Sequence, residues 1–172
     1  MIRIARSDDL AHLPEVERAA GAAFRDVDMD SIADDEPPSM DDLLAFQQAG
    51  RAWVATDDAD YPIAYILLDV VDEAAHVEQV SVHPGYARQG LGSRLLVTAE
   101  TWAAQRGLTA MTLTTFTDVP WNAPYYARLG FRVVAEDEWT PDLRRIREHE
   151  GVIGLDVWPR VVMKRPIPSR EL

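Results

Sequence analysis

Cysteine is absent from the 172-residue sequence. Disulfide staples and thiolate-bound metals are therefore excluded, and any catalysis must use other groups. Long apolar runs are missing too. The longest, residues 63–71, is broken by Tyr65 and Asp69 and is too short to span a bilayer, and residues 1–4 carry no signal-type apolar region. These absences lead us to expect a soluble cytoplasmic protein with no membrane partner. Basic residues are the third scarcity, with 17 Lys and Arg against 29 Asp and Glu and a net charge of −12. Phosphate backbones are held by clustered Lys and Arg, so no nucleic-acid partner is expected, and a cationic partner suits the chain better. The four histidines are scattered without paired spacing, and no metal site is expected.

What is present is enough for one ordinary domain. A hydrophobic content of 47% in this length supports a real core, and the absence of repeats, low-complexity segments and linkers argues for a single domain over residues 1–172. The acids are unevenly spread. Residues 26–42 hold Asp26, Asp28, Asp30, Asp34, Asp35, Glu36, Asp41 and Asp42 and no basic residue, which reads either as a solvated loop or as a rim that attracts an amine.

Patterning gives an alternation of elements. A strand is expected over residues 2–6, then a helix capped by Ser7 and running to about residue 24 with Pro14 near its start. After the acidic loop, Ser39 caps a helix over residues 40–48 that ends at Gly50. Residues 52–56, 63–71 and 75–82 are β-rich runs separated by turn residues and read as an antiparallel meander. Leu91, Leu95, Leu96, Ala99 and Trp102 fall on one face of a helix over residues 91–105, stopped by Gly107. Strands over 110–116, 131–135 and 160–163 and helices over 123–129 and 141–149 complete an α+β chain with a mixed sheet.

The segment from Val82 through His83, Pro84, Gly85, Tyr86, Ala87, Arg88, Gln89, Gly90, Leu91, Gly92 and Ser93 passes from a strand into a helix. A helix N-terminus offers free N–H groups and a positive dipole end, and glycines at 90 and 92 leave room for a pyrophosphate to approach. A Walker A loop is excluded because no Gly-Lys-Ser/Thr follows, and a dinucleotide fingerprint fails for want of a third glycine and a βαβ unit.

Here the sequence resembles the GNAT N-acetyltransferase superfamily. Val80-Ser81-Val82, Pro84 and Arg88-Gln89-Gly90-Leu91-Gly92 stand in register with the family's first motif, with Ala87 where Gln or Arg is usual. Tyr126, Gly130 and Phe131 match the Y-x-x-x-G-F ending of its second. The resemblance implies the GNAT acyl-CoA N-acyltransferase fold, a mixed and mostly antiparallel central sheet flanked by helices. It also implies acetyl-CoA as cosubstrate and transfer of its acetyl group to a primary amine by direct attack in a ternary complex. Acetyl-CoA is then held by the main chain of Val80, Ser81 and Val82 and by Arg88, Gln89, Gly90, Leu91, Gly92 and Ser93.

By the same resemblance Tyr126 is the general acid for the departing thiolate, with Tyr125 beside it a core residue. Asn122 either reaches the pantetheine or caps the helix that follows it. Glu78, two residues before Val80, is the expected base, acting through water; His83 is the alternative, ahead of His76 and Glu73. The acceptor is a small molecule or a peptide, and since dimers are common in the family, a homodimer is open beside a monomer. The competing readings are a non-catalytic acyl-CoA-binding sensor of the same fold and an unrelated α+β interaction domain.

Overall fold

The computed structural model describes residues 1–168. Strands β1 (Ile2–Ile4), β2 (Ala52–Thr56), β3 (Pro62–Val71), β4 (Ala74–Val82), β5 (Ala110–Phe116), β6 (Arg132–Val134) and β7 (Arg160–Pro166) are interleaved with helices. The helices are α1 (Leu13–Gly21), α2 (Asp30–Ala33), α3 (Met40–Gln48), α4 (Leu91–Gln105), α5 (Ala123–Arg128) and α6 (Pro141–Val152). The seven-stranded sheet has the order β1-β2-β3-β4-β5-β7-β6. Pairs β1–β2, β2–β3, β5–β7 and β6–β7 are antiparallel, and β4–β5 is parallel. The mixed, mostly antiparallel α+β architecture is thus as expected.

The chain divides into two compact units, one of Met1–Asp69 with Glu78–Ala99 and one of Val70–Val77 with the chain from Glu100 onward. In the first unit all five residues of β2 and the first seven of β3 are buried, which is why these strands read as continuous apolar runs rather than alternating ones. Leu10, Leu13, Val16 and Leu43 close over Val54, Tyr65 and Leu67, with Phe46 packed at the margin. Pro14 sits in the first turn of α1, where its missing N–H removes no hydrogen bond.

The expected cap at Ser7 is not used. Residues Ser7–His12 form a 3-10 turn that starts from Arg6, whose amide donates to the Asp9 carboxylate at 2.7 Å. The guanidinium of Arg3 also donates to Asp9, at 2.7 and 3.0 Å. A carboxylate that gathers an amide and a guanidinium out-competes a serine hydroxyl. Burial raises the Asp9 pKa, and the hydrogen bonds and charges of Arg3 and Arg6 outweigh it, so the carboxyl titrates below its usual value. A depressed folded-state pKa means stability that is complete above about pH 4 and is lost as the pH falls through the folded value. Asp9→Asn is expected to cost about 2 kcal/mol, a fall of about 4–8 °C in Tm at neutral pH, and to flatten the acid-side slope of stability in thermal melts.

The acidic stretch hides α2. Its first turn forms because Met29, only 3% exposed, anchors the chain while its carbonyl accepts from Ile32 and Ala33. Ser39 does cap α3, its hydroxyl accepting from the Asp42 amide at 3.1 Å, and Gly50 ends the turn with φ +72°.

In the second unit, β5 and β7 pair over their full seven residues, from Ala110↔Pro166 to Phe116↔Arg160. This ladder carries β7 three residues past its expected end, through Lys164 and Arg165, whose charge had read as loop. Helix α6 likewise runs past His149 because Glu150 is 9% exposed and tied to its surroundings. It accepts from Arg147 at 2.9 Å, from Arg160 at 3.1 Å and from the Thr114 hydroxyl at 2.5 Å. Val134, Leu143 and Val162 pack with Val71 and Trp139 beneath that helix.

Candidate functional site

The parallel ladder of β4 runs from Ala74↔Ala110 to His76↔Thr112, and the C-terminal half of the strand lies past its last rung. In that half Val80 and Val82 are half-buried and Ser81 is buried. The Ser81 hydroxyl is committed to a side chain, donating to Glu17 at 2.5 Å, so the binding expected of it falls to its main chain. Glu78 is exposed on the same strand. His83 is taken up by the turn that follows: its Nδ1 accepts from the Gly85 amide at 3.0 Å. His76 is 2% exposed and bonded to the Thr112 hydroxyl at 2.9 Å, a core residue rather than a base.

After the Pro84–Tyr86 turn, the chain reaches α4 through two left-handed residues, Arg88 at φ +63° and Gly90 at φ +75°. Arginine at positive φ is unfavourable, so Arg88 marks a strained point of the loop. Arg88, Gln89 and Gly90 are exposed, Gly92 and Ser93 half-buried and Leu91 buried. A Cβ built on Gly90 meets no atom within 4 Å. The Cβ position of Gly90 is therefore open, next to the first turn of α4, where helical geometry leaves amides unpaired. Gln89 and Leu91 also line a cavity of about 580 Å³ with Tyr86 and Arg94.

In the second unit, Tyr126 sits on α5 with 9% of its surface exposed. Its ring lies edge-on to Phe131 at 5.8 Å and to Tyr125 at 5.4 Å. Its hydroxyl makes no hydrogen bond among the described residues. Burial, with a smaller contribution from Tyr125, pushes the phenol pKa well above the usual value, so the group is protonated throughout the neutral range. Tyr125, expected in the core, is only half-buried. Asn122 precedes α5 without capping it through its side chain. Its Oδ1 instead accepts from the Thr115 hydroxyl at 2.8 Å and the Phe116 amide at 3.4 Å. The helix-cap alternative is corrected, because β5 offers this acceptor better-placed donors than the first turn of α5 does.

The sequence matches the acetyltransferase (GNAT) family model over residues 15–131, which is more than half of the chain and takes in both motifs. The chain belongs to the GNAT acetyltransferase family. Solved structures agree in fold. The ribosomal-protein-S18-alanine N-acetyltransferase of Escherichia coli is 22% identical, with 100% of this chain and 97% of that one covered at a TM-score of 0.66. The PaiA N-acetyltransferase of Thermoplasma acidophilum, solved with coenzyme A, is 19% identical over 96% and 98% of the two chains, TM-score 0.67. A GNAT-family acetyltransferase of Staphylococcus aureus Mu50 is 14% identical over 98% and 99%, TM-score 0.73.

The acidic stretch, read above as either a solvated loop or an amine-attracting rim, lines a cavity of about 620 Å³. Asp34, Asp35 and Glu36 line it together with Arg18 and Arg25, and Arg25 pairs with Asp34. The rim is thus partly neutralised by arginines that the local acid count does not reveal. Among the described residues no helix is long and apolar enough to cross a membrane.

Proposed function

We propose that the protein is an N-acetyltransferase that transfers the acetyl group of acetyl-CoA to a primary amine in a ternary complex. The observation that carries this reading is the left-handed Gly90 just before α4, with nothing within 4 Å of its Cβ position, in a chain of the GNAT family. Amides at an open helix start suit a pyrophosphate. Gln89, Leu91, Gly92 and Ser93 shape that turn, and Arg88 adds a cation for a phosphate oxygen. Main-chain groups of Val80, Ser81 and Val82 serve the pantetheine arm, and the family resemblance assigns Asn122 to it as well.

In the reaction, the amine lone pair attacks the thioester carbonyl carbon. The C–N bond forms, the C–S bond breaks, and the electron pair leaves with sulfur. Tyr126, held protonated, supplies the proton to the thiolate and regains it from solvent. Glu78 takes the acceptor's proton through water. The hydroxyl of Tyr126, which has no hydrogen-bond partner among the described residues, favours this reading over a sensor of acyl-CoA.

Calorimetric titration with acetyl-CoA, followed by thiol release against a panel of primary amines, tests the proposal. Saturable binding with turnover is expected. Absence of acetyl-CoA binding would overturn it, and binding without turnover on any amine would turn the reading to the sensor.

A further inference from the structure

Helix α1 brings an acid to the strand proposed to hold the acyl donor. Glu17 follows the core residue Val16, is itself half-buried, and collects donors from β3 and β4. Its Oε2 accepts from the Tyr65 hydroxyl at 3.0 Å, the Ser81 hydroxyl at 2.5 Å and the Gln79 amide nitrogen at 2.9 Å. Its Oε1 accepts from that same Gln79 nitrogen at 3.0 Å. Gln79 also donates to the Ser81 oxygen at 2.9 Å, which locks the two strand side chains together. Every one of these donors is neutral. Among the described residues no Lys, Arg or His pairs with Glu17, although this chain pairs many of its other acids with arginines.

That arrangement leaves two things unmet. A carboxylate partly withdrawn from water is commonly given a cationic partner, and this half-buried one has none among the described residues. A carboxylate oxygen accepts about two hydrogen bonds, and Oε1 has one. Tyr65 stays a neutral donor, since its burial and the neighbouring carboxylate both keep its phenol protonated. Three donors hold the carboxylate in one orientation, and Ser81 and Gln79 flank Val80, whose main chain is proposed to hold the thioester arm.

We infer that Glu17 is the anchor for the acceptor's ammonium group: its carboxylate, positioned by Tyr65, Gln79 and Ser81, receives a primary ammonium at Oε1. The inference rests on the acetyl-transfer reading and names the chemistry by which that site selects its acceptor. The partner is a cation that carries N–H donors. A quaternary ammonium of similar size offers charge without a hydrogen bond and is a poor fit.

The test needs no knowledge of the natural acceptor. Protein carrying glutamate labelled with ¹³C at its side-chain carboxyl is titrated with n-butylammonium chloride, and in parallel with tetramethylammonium chloride at equal ionic strength. The Glu17 signal is assigned by its disappearance in Glu17→Gln, or in Glu17→Asp should the first variant fold poorly. A saturable shift of that signal is expected with butylammonium and not with tetramethylammonium. In Tyr65→Phe, which keeps the charge and the open lone pair, the shift should remain saturable with its midpoint moved by less than about threefold, as for loss of one of several neutral hydrogen bonds. Shifts that are linear and equal for the two salts would overturn the inference, as would complete loss of saturation in Tyr65→Phe. Calorimetry with acetyl-CoA on the same sample separates the two readings. Failure to bind acetyl-CoA would sink the acetyl-transfer proposal, and binding without the ammonium response would sink the anchor alone.

Discussion

Tyr126→Phe should lower kcat about a hundredfold, the scale of a lost proton donor, while leaving the affinity for acetyl-CoA unchanged. The substitution removes one oxygen and little else. Both ring contacts, to Phe131 and to Tyr125, survive in phenylalanine, and the hydroxyl has no hydrogen-bond partner among the described residues to lose. A fall in rate therefore cannot be assigned to a broken structural bond, and Tm should hold within about 1 °C, as for a change with no lost contact. Steady-state kinetics at saturating acetyl-CoA, with calorimetry alongside, decides it. A kcat equal to that of the wild type would return Tyr126 to the core, and a matching loss in acetyl-CoA affinity would make it a binding residue instead.

The second large effect is expected at the loop before α4, whose Gly90 has a match in a glycine beyond the helix's other end. Gly90 before the helix has φ +75°, Gly107 after it has φ +71°, and a Cβ on either meets no atom within 4 Å. Alanine at either position should cost about 1–2 kcal/mol of left-handed strain and nothing in steric overlap. The two variants should then melt at similar temperatures. Only Gly90→Ala puts a methyl group where a phosphate has to approach the open amides, so its Kd for acetyl-CoA should rise tenfold or more while Gly107→Ala binds as the wild type does. Equal affinities in the two variants would remove the phosphate from the start of α4. Equal losses would point to strain rather than to the site.

Elements whose signals are local were readable in advance. Helix α4 ran as its apolar spacing required, and β2 and β5 had the predicted bounds, because burial on both faces leaves short apolar runs edged by turn residues. The loop glycines and the tyrosine of the second motif are local patterns as well. What escaped were features made by distant partners. Nothing near Ser7 says that Asp9 will be claimed by Arg3 and the Arg6 amide. The extra residues of β7 come from its ladder with β5, some fifty positions earlier. Glu17 and Ser81 stand 64 positions apart, and no pattern in α1 marks that acid as different from its exposed neighbour Glu15. The Asn122 amide was open to two readings, and the partners its oxygen took, Thr115 and Phe116, lie on β5.

Helix α5 has six residues, too few to be stable in water by itself. Its shape is set from outside, by the Asn122 side chain fastened to β5 at one end and by Gly130 and Phe131, whose amides return to the Ala127 and Tyr126 carbonyls, at the other. The phenol that the proposed chemistry depends on is thus carried by a piece of chain held in place by its neighbours and not by its own length. Loosening either fastening should then cost activity before it costs the sheet.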